Sequence, residues 1–146
     1  MKKWIFCAIA LTCAAQVAFA DPQWLTDVPK AEAQAKKENK LVLLDFTGSD
    51  WCVWCKKLDE DVFAKPDFQR YASTNLVLVQ LDYPQRKAQP AALKAANEAL
   101  QIKFNIEGFP TLYLLKPDGS VVWKQVGYPE GGVTGVLAEM DKARKK

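Results

Sequence analysis

Leu41-Val42-Leu43-Leu44-Asp45-Phe46, followed within a few residues by Trp51-Cys52-Val53-Trp54-Cys55, is the stretch on which the fold turns. A continuous apolar run of this length reads as a strand covered on both faces. The pattern from Cys52 to about Ala64 is helical, so the cysteine pair stands just beyond a buried strand and at the start of a helix. At such a place the unpaired backbone N–H groups and the helix dipole stabilise an anion.

Working outward, Leu76-Val77-Leu78-Val79 repeats the strand signal, and each run is followed by an aspartate, Asp45 and Asp82. Between the runs lie two helical patterns, Cys52 to Ala64 and Pro66 to Ala72, with Pro66 suited to a first turn. Two parallel strands with a right-handed crossover follow. Upstream, Thr26 or Asp27 can cap a helix that contains Pro29 and runs to about Asn39, after a short lead-in from Asp21 to Leu25. Downstream, a polar connection from Pro84 to Pro90 leads into an alanine-rich helix, Ala91 to Phe104, expected to bury a small-residue face. Thr111–Leu115 and Val121–Val126 flank Pro117-Asp118-Gly119-Ser120 and predict a hairpin. A last helix ends in Lys142 to Lys146. The expected class is α/β, a central mixed sheet of about four strands flanked by helices on both faces.

The 146 residues are 49% hydrophobic and 25% charged, the balance of one soluble globular domain. Residues 1–20 stand apart: Lys2 and Lys3, an uncharged, mainly apolar run from Trp4 to Ala15, then Ala18-Phe19-Ala20. This is the three-part pattern of a cleavable signal peptide. The run is too short for the ~20 residues that span a bilayer, so no stable membrane insertion is expected after cleavage. The predicted domain is 21–146, and export to the periplasm is the expected location. The formal charge is only +3, two units of it in the leader, which gives no reason to expect nucleic acid or an anionic membrane as partner. Cys7 and Cys13 also fall in the leader, leaving Cys52 and Cys55 to carry all thiol chemistry.

A thiolate, not a thiol, is the nucleophile, so Cys52 at the helix start is the expected attacking group. Cys55, one turn on and deeper, is expected to resolve the mixed disulfide. Other readings of the pair are weaker. A structural zinc usually takes four Cys or His ligands, and the predicted domain has two cysteines and no histidine. A purely structural disulfide closing so short a loop contributes about 2 kcal/mol. Inert core thiols are unusual in an exported chain. Without histidine, a Cys–His hydrolase is also ruled out.

Leu44-Asp45-Phe46, Trp51-Cys52-Val53-Trp54-Cys55-Lys56 and Gly108-Phe109-Pro110-Thr111 together resemble the thioredoxin superfamily over nearly all of the predicted domain. The likeness is nearest to the C-terminal domain of membrane thiol:disulfide interchange proteins and to small exported relatives such as the chlamydial periplasmic oxidoreductases. It implies a thioredoxin-like fold, with Pro110 as a cis-proline facing the cysteines. It also implies that Thr111 starts a strand whose backbone pairs with a bound substrate segment, Phe109 preceding it. Asp45 would match the buried acid that moves the proton of the second cysteine, although its spacing to Cys52 is one residue longer than in thioredoxin. The alternative for Asp45 is a solvated strand-end carboxylate. The lysine that accompanies that acid in many thioredoxins is expected to be replaced by an apolar residue near Leu78.

Trp51 is expected to wall the site. Trp54 is open between packing inward and offering partners an apolar contact, while Lys56 and Lys57 read as a solvated helix face. The implied activity is reduction or exchange of disulfides in exported proteins, without cofactor or metal. A membrane interchange protein is the implied electron donor. An oxidase or isomerase of the same fold, and a client-binding protein without turnover, are the alternatives. The dimerising arm of periplasmic isomerases is absent, and a monomer is expected.

Overall fold

The computed structural model describes residues 22–145, so the expected leader lies outside the described residues. The chain runs through β1 (Trp24–Leu25), α1 (Val28–Glu38), β2 (Leu41–Thr47), α2 (Val53–Leu58), a π-helical turn (Asp59–Phe63) and α3 (Pro66–Asn75). It continues through β3 (Leu76–Asp82), α4 (Ala91–Lys103), β4 (Thr111–Leu115), β5 (Val121–Val126) and α5 (Gly132–Arg144). The strands form one five-stranded mixed sheet in the order β1-β3-β2-β4-β5. β3 pairs in parallel with β1 and β2, whereas β4 runs antiparallel to β2 and β5.

The expected α/β class and the parallel β2–β3 crossover are both present. The strand beyond the expected four is β1, where Trp24 and Leu25 pair with Leu78 and Val79. Two residues are too few to show a period, which is why the sequence reads as a lead-in there. Trp24 also packs its ring 5.1 Å from that of Phe63. β2 and β3 run beyond their apolar cores, because ladder pairing continues through Asp45↔Gln80 to Thr47↔Asp82.

Side chains alternate across the sheet, and the core divides accordingly. Leu43 joins Leu58, Phe63, Phe68, Leu112 and Met140 on the face covered by α2, α3 and α5. Val42, Leu44 and Phe46 join Ala31, Ala35, Val79 and Tyr113 on the opposite face, under α1. Each fully buried leucine or phenylalanine contributes roughly 1.5–3 kcal/mol. By the same alternation Asp45 shares the face of Leu43, the side on which α2 lies.

Asp27 caps α1, its carboxylate accepting from the Lys30 N–H at 2.9 Å, and Asn39 closes the helix with φ 54°. The single helix expected from Cys52 to Ala64 is instead α2 followed by the π-helical turn, in which Ala64 N–H donates to the Asp59 carbonyl at 2.8 Å. The wider turn brings the neighbours Val62 and Phe63 both inside. α4 corrects a second expectation. Its alanines are exposed, and its buried residue is Asn97. Two hydrogen bonds hold it to the end of β3, from Asn97 Nδ2 to the Asp82 carbonyl at 3.0 Å and from Tyr83 Oη to the Asn97 carbonyl at 2.6 Å. Among the described residues, no helix is long and apolar enough to cross a membrane.

Candidate active site

Cys52 is the N-cap of α2, with extended backbone at φ −81° and ψ 108°. Its Sγ accepts a hydrogen bond from the Cys55 N–H at 3.2 Å, so a helix-terminal donor points at the sulfur, as a thiolate would need. Cys52 and Cys55 are joined in a disulfide, their Cα atoms 5.3 Å apart. In this form the two are equally covered, each 5% exposed, rather than Cys55 lying deeper.

The loop ahead of Cys52 is a tight turn, with Trp51 N–H and Cys52 N–H both donating to the Gly48 carbonyl, at 3.2 and 2.9 Å. The Trp51 indole folds back over Gly48, where a Cβ would come within 2.5 Å of the ring. Trp51 Nε1 donates to the Tyr83 carbonyl at 2.8 Å, and its ring meets Phe109 edge-on at 5.7 Å. Tyr83 and Phe109 lie 5.1 Å apart, so Trp51 is one member of a three-ring wall.

The Phe109–Pro110 peptide is cis, as the resemblance implies. Pro110 is buried, and its carbonyl accepts from Gly127 N–H at 2.8 Å. Thr111 is buried and paired on both sides, with Phe46 of β2 and Val126 of β5. Its backbone is therefore engaged within the sheet, and its Oγ1 donates to the Gly108 carbonyl at 2.8 Å. Phe109 lies outside the ladder, in contact with Trp51.

Asp45 is 3% exposed, which removes the solvated alternative. It lines a cavity of about 70 Å³ together with Thr47, Ser49, Cys55, Lys56, Asp59 and Gln80. Its Oδ1 has no hydrogen-bond partner. Burial, reinforced by the carboxylates of Asp59 and Asp82 and opposed by a hydrogen bond from Gln80, pushes its pKa up to about 8. The acid therefore keeps its proton near neutrality, in a cavity that Cys55 also lines. Asp59 is also shifted upward, by partial burial and then by Glu60. The residue across from Asp45 is Gln80, not Leu78, because ladder register pairs Leu78 with Leu43 in the core.

Trp54 turns outward, 56% exposed, with Val53 beside it at 73%. Its ring rests 5.6 Å from Tyr128, whose hydroxyl donates to Asp61 at 2.8 Å. Lys57 is more than a solvated face: its ammonium lies 2.9 Å from Asp61 and 5.6 Å from the Tyr128 ring. Lys56 lines the Asp45 cavity.

The sequence reading missed a set of side chains just before the cysteines. Ser49 donates to Asp82 through both N–H and Oγ, at 2.9 and 2.6 Å. The Asp50 carboxylate accepts from the N–H groups of Gln85, Arg86 and Lys87 at 3.0, 2.7 and 2.8 Å, which lowers its pKa to about 2. The partners lie more than thirty positions away in sequence, beyond any local pattern. Among the described residues, no group of three or more His, Cys, Asp or Glu is placed to hold a metal ion.

A profile of the thioredoxin-like domain matches residues 28–134 of this chain. The chain belongs to the thioredoxin-like family. Among its relatives is the disulfide bond reductase DsbH of Chlamydia pneumoniae, 30% identical over 88% of this thioredoxin-like chain and 76% of that protein. The thiol:disulfide interchange protein DsbD of Cronobacter sakazakii is 34% identical over 94% of this chain, which spans 21% of that longer protein. A solved DsbH oxidoreductase superposes with a TM-score of 0.80 at 29% identity, covering 95% of both chains. The oxidised C-terminal domain of Neisseria meningitidis DsbD shares the thioredoxin-like fold, with a TM-score of 0.60 at 17% identity over 83% of this chain and 99% of that one. The disulfide at the start of α2 is consistent with a redox-active pair in this family.

Proposed function

We propose that this chain is an exported thiol:disulfide oxidoreductase that reduces or exchanges disulfides in extracytoplasmic proteins through Cys52 and Cys55. The observation that carries the reading is the disulfide at the capped start of α2 with a buried acid in the cavity beside Cys55. In the reduced protein, the Cys52 thiolate attacks one sulfur of a client disulfide. A Cys52–client bond forms, and the other client sulfur leaves as a thiolate and takes a proton. Cys55 then gives up its proton, which the ionised fraction of Asp45 accepts, and the Cys55 thiolate attacks Cys52 Sγ. The Cys52–Cys55 disulfide forms, the client's second thiolate departs, and two electrons have passed to the client.

The pair must then be reduced again. A membrane thiol:disulfide interchange protein fits as donor, in keeping with the similarity to DsbD. Residues 1–20 would direct export to the periplasm and be removed there. Trp54, Val53 and Phe109 offer apolar contact to clients, while Trp51, Pro110 and the backbone near Thr111 shape the site.

The test is the reduction potential of the pair, measured by equilibrating the protein in graded thiol buffers and reading alkylation by mass. A value near the roughly −270 mV of thioredoxin supports a reductant, and one towards roughly −180 to −120 mV assigns isomerase or oxidase work instead. A pair that stays oxidised below about −300 mV is a structural disulfide and ends the reading. Cys55→Ser should trap clients as mixed disulfides on Cys52, whereas a non-catalytic binder would retain them without a covalent link.

A further inference from the structure

The N-cap position of Cys52 depends on what holds the four residues before it. Ser49, Asp50 and Trp51, three consecutive side chains, all reach across to one segment, residues 82–87. Ser49 binds the Asp82 carboxylate, the Trp51 indole N–H binds the Tyr83 carbonyl, and Asp50 gathers three successive backbone N–H groups, those of Gln85, Arg86 and Lys87. Tyr83 N–H completes the seam by donating to the Thr47 carbonyl at 2.9 Å. Successive N–H groups converging on one carboxylate make a charge-assisted clamp stronger than ordinary neutral bonds. It joins the loop that delivers Cys52 to the connection leaving β3.

Such a clamp bears on the redox couple itself. Cys55 lies within the turns of α2, whereas Cys52, the N-cap, is placed by the loop that precedes the helix. The disulfide requires the two sulfurs at bonding distance, while the dithiol tolerates a mobile Cys52. Restricting Cys52 beforehand raises the effective concentration of one sulfur at the other and so favours the disulfide. A couple with a more stable disulfide is a stronger reductant.

We propose that Asp50 is a positioning residue for the Cys52–Cys55 couple: clamped by the amides of Gln85, Arg86 and Lys87, it holds Cys52 against Cys55 and makes the pair more reducing. The proposal rests on the oxidoreductase reading and adds the residue that tunes its potential. It differs from a purely electrostatic effect of a negative charge near Cys52, because the clamp depends on how many N–H groups are held. An asparagine keeps an acceptor oxygen and loses the charge, whereas an alanine loses both.

The experiment measures the equilibrium of the couple with glutathione in the purified protein and in Asp50→Ala, Asp50→Asn, Ser49→Ala and Asp67→Ala, at low salt and in 1 M salt. Asp50→Ala is expected to shift the equilibrium constant about tenfold towards the dithiol, about 30 mV for a two-electron couple. Asp50→Asn should shift it less and Ser49→Ala in the same direction, with the shifts persisting in 1 M salt, where exposed charges are screened within ~3 Å. Asp67→Ala, which removes an exposed partner of Arg70 on α3, should leave the constant unchanged even if it lowers the melting temperature. An unshifted constant in Asp50→Ala, or shifts of equal size in the Ala and Asn variants that vanish in salt, overturns the positioning role. If Asp50→Ala does not fold, Asp50→Asn and Ser49→Ala decide by the same constant. A wild-type pair that resists reduction below about −300 mV overturns the oxidoreductase reading instead.

Discussion

Asp45 sits in the middle of β2 with no hydrogen on offer to one of its oxygens, and its raised pKa is a statement about stability as well as chemistry. The folded protein holds this proton up to about pH 8, whereas the unfolded chain releases it near the ordinary aspartate value of ~3.9. Between those limits the native state binds more protons. Its stability is therefore fully present below the unfolded pKa and is lost as pH rises, by up to about 1.4 kcal/mol per unit, until the folded pKa is passed. Asp45→Asn should abolish that slope, so that the oxidised variant gains on the parent between pH 5 and pH 8. Urea unfolding at the two pH values checks this, and parallel curves for parent and variant would refute the assignment. Gly48 makes a steric prediction. In Gly48→Ala the new methyl meets the Trp51 ring at 2.5 Å, so the indole must move and its bond to Tyr83 must break. A loss of about 1–3 kcal/mol is expected, with a shift of indole fluorescence; an unchanged spectrum would mean that the ring does not lie over Gly48.

At the scale of elements, α4 is the helix least committed to the core. It contributes one buried side chain, and that one is polar. Asn97→Ala removes the Nδ2 bond to the Asp82 carbonyl but spares the Tyr83 bond, which ends on the Asn97 backbone. A cost of about 1 kcal/mol follows, and amide hydrogen exchange should quicken in α4 while the amides of β2 and β3 keep their protection. Equal quickening in the central strands would show that α4 opens only with the whole fold. The alanine-rich pattern of this helix misleads, since small residues suit close packing and exposed helix equally well. The long apolar runs of β2 and β3 do not mislead, because a fully buried strand requires them. β1 and the π-helical turn were hidden for a different reason: pairing of two residues and one extra residue in a turn leave no trace in periodicity.

For the whole molecule, the reach of sequence reasoning follows the range of the interaction. The cysteine pair and its place at the end of a strand are local, and they were legible. The register that sets Gln80 against Asp45, and the seam that carries Asp50 to residues 85–87, depend on how distant segments align, and no local pattern reports that. The domain boundary proposed at Asp21 is open to a direct check: the mature protein recovered after export should have an intact mass beginning at that residue, and a mass retaining residues 1–20 would rule out cleavage. One more property belongs to the assembled sheet. Its two borders differ, β1 being only two residues long and β5 six, with Val121 and Val126 exposed along the latter. A bare strand at a sheet border is a template on which other chains can stack into fibres. Lys124 stands in the middle of β5 with its ammonium over Tyr113, and the register slips between Leu114 and Leu115. A charge and an irregular ladder at that border act as gatekeepers against self-templating, so that the exposed strand does not become a seed for stacking further copies.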